Sequence, residues 1–338
     1  MTELTAAPRI NVDDGPGGLV HQLLTAREFG VVTATVGVFV TCVLFADRFL
    51  TTSNLLAVAQ QISILGIIAV GVTFVLISGE IDLSVGSLYG FLAVTLATFV
   101  TGVGIPVGAA VPLVLIIGVG IGTVNGLITT RLGIPSFIVT LAGMGILRGF
   151  ALLVADGMPV DSSRLPVFQK LFAGYPLPNL SAETLWMVGA MIVGGFVLAK
   201  TVFGYHVYAT GGDRSAAANA GIPTARVKTI CFAISGGLAG LAAVIINAQF
   251  GDAPPTTGTN YELLAVAAIV IGGASLFGGR GSLFGTFLGA VLTGVISNAL
   301  VLFGIDNNWQ QIATGMLILA AVMVNTLVGR RSPARREA

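Results

Sequence analysis

Apolar residues in this chain come in long unbroken runs, without the alternation of a half-buried strand or the three-to-four spacing of a surface helix. Runs nearly free of charge cover residues 30–46, 55–77, 83–103, 107–129, 136–154, 185–199, 230–248, 263–279, 283–304 and 312–328. Most reach the roughly 17 to 25 residues that a helix rising 1.5 Å per residue needs to cross a hydrocarbon layer of about 30 Å. The pattern predicts an all-α, polytopic membrane protein with about ten transmembrane helices. The runs at 185–199 and 263–279 are short, which leaves a broken or re-entrant element open at either.

Composition supports the bilayer as the solvent. Of 338 residues, 55% are hydrophobic and 9% charged, where a soluble domain carries about a quarter charged residues; the mean hydropathy is +0.95. Charge placement suggests an orientation. Ten crossings with both termini cytoplasmic put Arg9, Arg27, Arg131, Lys200, Arg214, Arg226, Lys228, Arg280, Arg330, Arg331, Arg335 and Arg336 inside. Only Arg48, Arg164 and Lys170 fall outside, and Arg148 lies within a run. This bias follows the positive-inside rule. Residues 1–28 then read as a cytoplasmic tail, 29–328 as the transmembrane domain, 201–229 as its long inner loop and 329–338 as a basic tail. Asp47 and Arg48, rather than a small-residue cleavage site, follow the first run, so a removed signal peptide is not expected.

Several chemistries find no residues to carry them. Cys42 and Cys231 each sit alone inside a run, with His21 in the tail and His206 on the inner loop, so neither a disulfide framework nor a metal site is supported. No GxSxG or HExxH occurs, and no GxxxxGK[ST] phosphate loop. The chain is therefore expected to be no enzyme, to bind no cofactor or nucleic acid, and to draw any ATP-derived energy from another subunit.

Two segments share a theme. Residues 75–93 read VLISGEIDLSVGSLYGFLA and residues 269–289 read IVIGGASLFGGRGSLFGTFLG: an apolar run, a glycine-rich break, then Gly-Ser-Leu opening the next run. This suggests two related halves, a plan known in transporters. Glycines inside the runs, such as Gly118, Gly122, Gly236 and Gly240, suit close helix packing where lipid gives no hydrophobic push. The outer loop 155–183 carries Pro159, Pro166, Pro176 and Pro178, which deny it a long helix.

The inner loop contains TGGDRSAAANAGIPTARVK at 210–228. Asp213 can cap a two-turn helix over 214–220, Gly221 can end it, and Pro223 blocks continuation. Its small side chains Ala216, Ala217, Ala218 and Ala220 would let another protein's groove approach the backbone, although a plain surface turn has the same composition. Glu80 and Asp82 put two carboxylates at a span break, where acids face a bundle interior, a cavity or a partner; capping of the following helix by Asp82 is the structural alternative. Gln60, Gln61, Asn125, Asn247, Gln249 and Asn298 are candidates to line a path for a hydroxyl-rich solute, and equally to bond helices together.

GGDRSAAANAGI and TTGTNYELLAVAAIVIGGASLFGGRGS, with SGEIDLSVGS and IPSFIVTLAGMGILRG, resemble the permease subunits of ribose-type ABC sugar importers over roughly residues 50–325. The resemblance implies an ABC importer permease fold in a bacterial inner membrane. It implies a homodimer of permeases on two cytoplasmic ATPase subunits, fed by an extracytoplasmic sugar-binding protein delivering a pentose, hexose or polyol. It further implies that the loop holding Gly212, Asp213, Arg214, Ala216, Ala217 and Gly221 docks on the ATPase and couples it to transport. That family commonly has Gly where Glu80 stands, and LRG matches its motif at Arg148. A secondary transporter or channel for a small polar solute is the alternative reading.

Overall fold

The computed structural model describes residues 27–162 and 166–305, with isolated helical positions between 309 and 323. Residues 1–26 of the expected N-terminal tail, the tail at 329–338 and most of the run at 312–328 lie outside the described residues.

The apolar runs become helices whose ends are set by local chemistry. In order they are α1 (Arg27–Phe45), α2 (Thr52–Ile77), α3 (Val85–Ala97, prolonged by a π turn over Thr98–Gly102), α4 (Val107–Arg131) and α5 (Ser136–Val154). A short α6 (Pro166–Phe172) lies in the outer loop, followed by α7 (Ala182–Lys200), α8 (Val202–Gly212), α9 (Arg214–Asn219) and α10 (Thr224–Phe250). The described elements end with α11 (Tyr261–Ile271) and α12 (Leu283–Leu302). Among the described residues, seven helices are long and apolar enough to cross a membrane: α2, α3 with its π turn, α4, α5, α7, α10 and α12. The apolar part of α1 and the whole of α11 are shorter.

The two short runs resolve in opposite ways. Residues 185–199 fall inside the 19-residue α7, because Ser181 accepts from the Thr184 N–H and starts the helix three residues earlier. Residues 263–279 do not form one helix. α11 stops at Ile271, and Gly273, Gly278 and Gly279 adopt φ of +90°, +85° and +69°, the left-handed region that a helix cannot continue through. Only 11 residues remain helical there, about 16 Å of rise. The expected span is a half-length helix followed by a glycine-rich loop.

α2, α3 and α10 form the centre of the bundle, with α10 packed chiefly against α4, α2 and α3. α10 and α4 meet backbone to backbone: a methyl group at Gly236 would lie 2.1 Å from the Gly118 carbonyl oxygen, and one at Gly122 would lie 2.1 Å from that of Phe232. Small residues at one-turn spacing thus set how near these helices come. α4, α5 and α7 turn rows of Leu, Ile, Val and Phe outward, as lipid-facing helices do. At one end of the bundle, β1 (Val160–Asp161) pairs antiparallel with β2 (Asp252–Ala253) in the register Val160 to Ala253. Phe172 of α6 stacks on Trp186 of α7 at 5.4 Å, which ties the proline-rich loop to the bundle.

Candidate functional site

The site is built at the other end of the bundle, starting from α9. Asp213 leaves α8 in an extended conformation, and its Oδ1 accepts from the N–H groups of Ser215 and Ala216 at 2.8 and 2.9 Å. That satisfies two of the donors a helix start leaves free. Gly221, at φ +83°, closes the helix with a bond from its N–H to Ala218 O, and Pro223 opens α10. Arg214, Ala216, Ala218 and Ala220 are exposed, while Ala217 is buried beneath them. The result is a two-turn helix with a nearly bare outer face.

Beneath α9 three glycine-containing segments touch. A methyl group at Gly211 would fall 1.8 Å from the Ile77 carbonyl oxygen and 2.7 Å from the Gly279 nitrogen. One at Gly278 would fall 2.6 Å from Gly79 Cα, and one at Gly279 would fall 2.6 Å from Gly212 Cα. The Gly279 N–H donates to Ile77 O at 2.8 Å, and Tyr208 Oη donates to Gly281 O at 2.8 Å. Both glycine-rich breaks found in the sequence therefore meet the last turn of α8 with no side chain between them. No side chain other than hydrogen fits at such contacts.

The first break, residues 78–84, holds the carboxylates. Glu80 pairs with Lys228 Nζ at 2.5 Å, with the two side chains 13% and 7% exposed. Lys228 lies one turn into α10, so the pair links the break to the segment just after α9. Asp82 is buried, and both oxygens are engaged: Oδ1 accepts from Ser84 N (3.0 Å) and Ser84 Oγ (2.7 Å), and Oδ2 accepts from Ser235 Oγ (2.8 Å). Asn125 Nδ2 donates to Ser84 Oγ at 3.0 Å. Ser136 Oγ accepts from Ile81 N, and Thr140 Oγ1 donates to Ile81 O. Polar groups from α4, α5 and α10 thus serve an extended backbone that would otherwise be unpaired inside the bundle. Asp82 makes a local turn onto Ser84, the residue that precedes the helix starting at Val85.

The remaining candidates do not converge. Asn247 is buried and donates to Ala93 O and Ala243 O; Asn298 exchanges bonds with Asn54; Gln60 donates to Tyr175 Oη. Gln249 lies half-buried near the end of α10. Arg148 Nη1 donates to the carbonyls of Pro255 and Thr257, fixing the segment that precedes α11. A small cleft is lined by Gln61, Tyr261, Thr293 and Ser297 among others; of these only Gln61 stood out in the sequence. Lys228 and Ser235 escaped notice as partners because Glu80 and Asp82 lie about 150 residues away from them. Gly278 and Gly279 read in the sequence as part of a glycine-rich break, and nothing local to them or to Gly211 shows that these segments meet.

Residues 54–322 match the family described as branched-chain amino acid transport system / permease component. The ribose import permease protein RbsC of Haemophilus influenzae is 36% identical over 291 residues, covering 84% of this chain and 88% of that protein. RbsC of Escherichia coli K12 is 39% identical over 286 residues, covering 83% and 88%. The autoinducer 2 import system permease protein LsrC of Salmonella choleraesuis is 34% identical over 298 residues, covering 88% and 85%. No solved structure matches. With the family match running over most of the chain and these relatives covering more than four-fifths of it, the chain belongs to the family of branched-chain amino acid transport system permease components.

Proposed function

We infer that this chain is the membrane-spanning permease subunit of an ABC importer and forms the translocation path for a sugar or sugar-like solute. The relatives named for ribose and autoinducer 2 import support that solute class. In this reading the protein sits in a bacterial inner membrane with ten crossings, two related halves and both termini cytoplasmic. It works as a homodimer with a cytoplasmic ATPase subunit and an extracytoplasmic substrate-binding protein. The observation that carries the reading is α9: an exposed, Asp213-capped helix between α8 and α10, seated on the glycine joint and followed by Lys228, which ties the start of α10 to Glu80 of the first break. Closure of the ATPase dimer pushes α9. The joint and the ion pair carry that displacement to residues 78–84 and the helices that hold them.

Gly212, Asp213, Arg214, Ala216, Ala217 and Gly221 are assigned to coupling. Gln60, Glu80, Asp82, Asn125, Asn247, Gln249 and Asn298 are kept as path residues to be tested singly. A secondary transporter would use a buried carboxylate as an ion or proton carrier; the buried acids among the described residues are Glu183, Glu262 and, beside the joint, Asp82. Its three accepted hydrogen bonds occupy both oxygens, which favours a structural role for Asp82.

The test is uptake of labelled ribose into proteoliposomes holding the permease and its ATPase, with binding protein and ATP supplied. Gly221→Arg, which puts a charged, bulky residue at φ +83°, is expected to reduce ATP-dependent uptake at least tenfold and to uncouple ATP hydrolysis. Wild-type uptake by the variant, or uptake by the native protein without the ATPase, would overturn the reading.

A further inference from the structure

The second break ends in a feature that coupling by α9 does not use. Residues 275–280 form a closed turn: the Ser275 N–H donates to Arg280 O at 3.0 Å, the Gly278 N–H to Ser275 O at 3.2 Å and the Phe277 N–H to Ser275 Oγ at 3.2 Å. The turn is pinned from below by the Gly279 N–H to Ile77 O bond and by the backbone contacts of Gly278 and Gly279 with Gly79, Gly211 and Gly212. At its tip Phe277 is 89% exposed, more than any other large apolar side chain among the described residues. The backbone bonds hold it there, so its exposure is fixed by the fold.

Phe277 does not lie in a greasy neighbourhood. Arg280 closes its turn, and Gly212 and Asp213, which touch or adjoin Gly279, lead directly into exposed Arg214. Charged groups and an exposed helix start mark the aqueous end of the bundle, where an isolated phenylalanine gains by leaving water. The outward side chains of α4, α5 and α7 differ, forming continuous apolar rows. A large aromatic on a rigid turn beside a nearly bare helix has the make-up of an interface anchor that fills a pocket while small residues let surfaces close around it.

We propose that Phe277 inserts into an apolar pocket of the cytoplasmic ATPase subunit, so that this subunit grips the permease at two adjacent points, α9 and the 275–280 turn. The proposal rests on the coupling role assigned to α9. It takes the ATPase as occupant because the two features are joined through Gly212 and Gly279, and a partner broad enough to cover α9 reaches the turn. With two points fixed, a push on α9 is delivered against a neighbour held in the same partner, which makes both glycine-rich breaks part of the moving unit.

Spin labels test this in lipid nanodiscs carrying the full permease with its ATPase subunit. Both native cysteines are buried, so F277C and A220C each offer one accessible thiol. Alone, the label at 277 is expected to collide with a water-soluble nickel chelate in preference to oxygen. On addition of the ATPase, collisions at both 277 and 220 should fall severalfold. F277A should weaken ATPase binding about 30-fold, with F277L restoring part of it. Shielding at 220 without shielding at 277 overturns the anchor and leaves the α9 reading intact. An oxygen preference at 277, unchanged by the ATPase, assigns the side chain to lipid and also overturns the anchor. If neither label is shielded in a complex that hydrolyses ATP, the α9 reading itself fails.

Discussion

The two glycine-rich breaks share a sequence theme and handle the same difficulty in opposite ways. Each is a stretch of non-helical backbone beside long apolar helices, where unpaired N–H and C=O groups are costly. Residues 78–84 turn into the bundle, and their needs are met by side chains: Ser136, Thr140, Asn125, Ser235 and the carboxylate of Asp82, with Lys228 neutralising Glu80. Residues 272–282 contain no acid. Their contacts to the bundle are made largely by backbone, through glycines at positive φ, and the tip of their turn is an exposed phenylalanine. The first break is stapled inward and the second is presented outward. Such a contrast fits a device in which one break holds the path and the other meets the partner.

The largest effect is expected where the two breaks meet. Gly211→Val places a branched side chain on the Ile77 carbonyl and the Gly279 amide. It should cost more than about 4 kcal/mol and abolish monodisperse protein in detergent by size-exclusion chromatography. A well-folded variant would show that the breaks do not share a joint.

The next effect separates charge from shape. Glu80→Ala leaves the Lys228 ammonium buried without its partner, at a cost of about 3 to 5 kcal/mol, read as a lowered melting temperature in detergent. Glu80→Met with Lys228→Met removes both charges and should stay within about 1 kcal/mol of the parent. If Glu80→Ala alone melts like the parent, the first break is not stapled by charge.

A smaller loss is expected at Asp82. Asp82→Ala strips three hydrogen bonds and leaves Ser84 and Ser235 wanting acceptors, at about 2 to 3 kcal/mol. Asp82→Asn keeps an acceptor for Ser84 and can donate to the Ser235 hydroxyl, so it should lose about half as much. Equal losses in the two variants would mean that the negative charge, rather than the turn geometry, holds the segment.

Much of this arrangement was legible because its signals are local. The apolar runs at 107–129 and 136–154 fall on α4 and α5 nearly residue for residue. α9 was readable from Asp213 at its start and Gly221 at its end, since caps are local in sequence. The run at 263–279, where a broken element was left open, could not be settled by hydropathy, which scores glycine as neutral filler, while the backbone at Gly273, Gly278 and Gly279 needs positive φ. Lys228 looked like one more inner-loop cation because its partner is 148 residues away. The asparagines divided between path and helix bonding could not be sorted by sequence, because the choice depends on which helix face each occupies; Asn125 and Asn247 bond between helices. Phe277 sits in an apolar run and carries no mark of its exposure.

A joint made of backbone alone has no rotamers to rearrange. Where Gly79, Gly211, Gly212, Gly278 and Gly279 touch, a displacement of one segment cannot be absorbed by a neighbouring side chain swinging aside. It must move the next peptide unit or be resisted by it. Such a contact acts as a gear tooth with little backlash, and its play is set by van der Waals radii. The same stiffness narrows what substitution can do there: at Gly211, Gly278 and Gly279 even a single methyl runs into neighbouring backbone, so these three positions offer almost no gradual route to a differently tuned stroke.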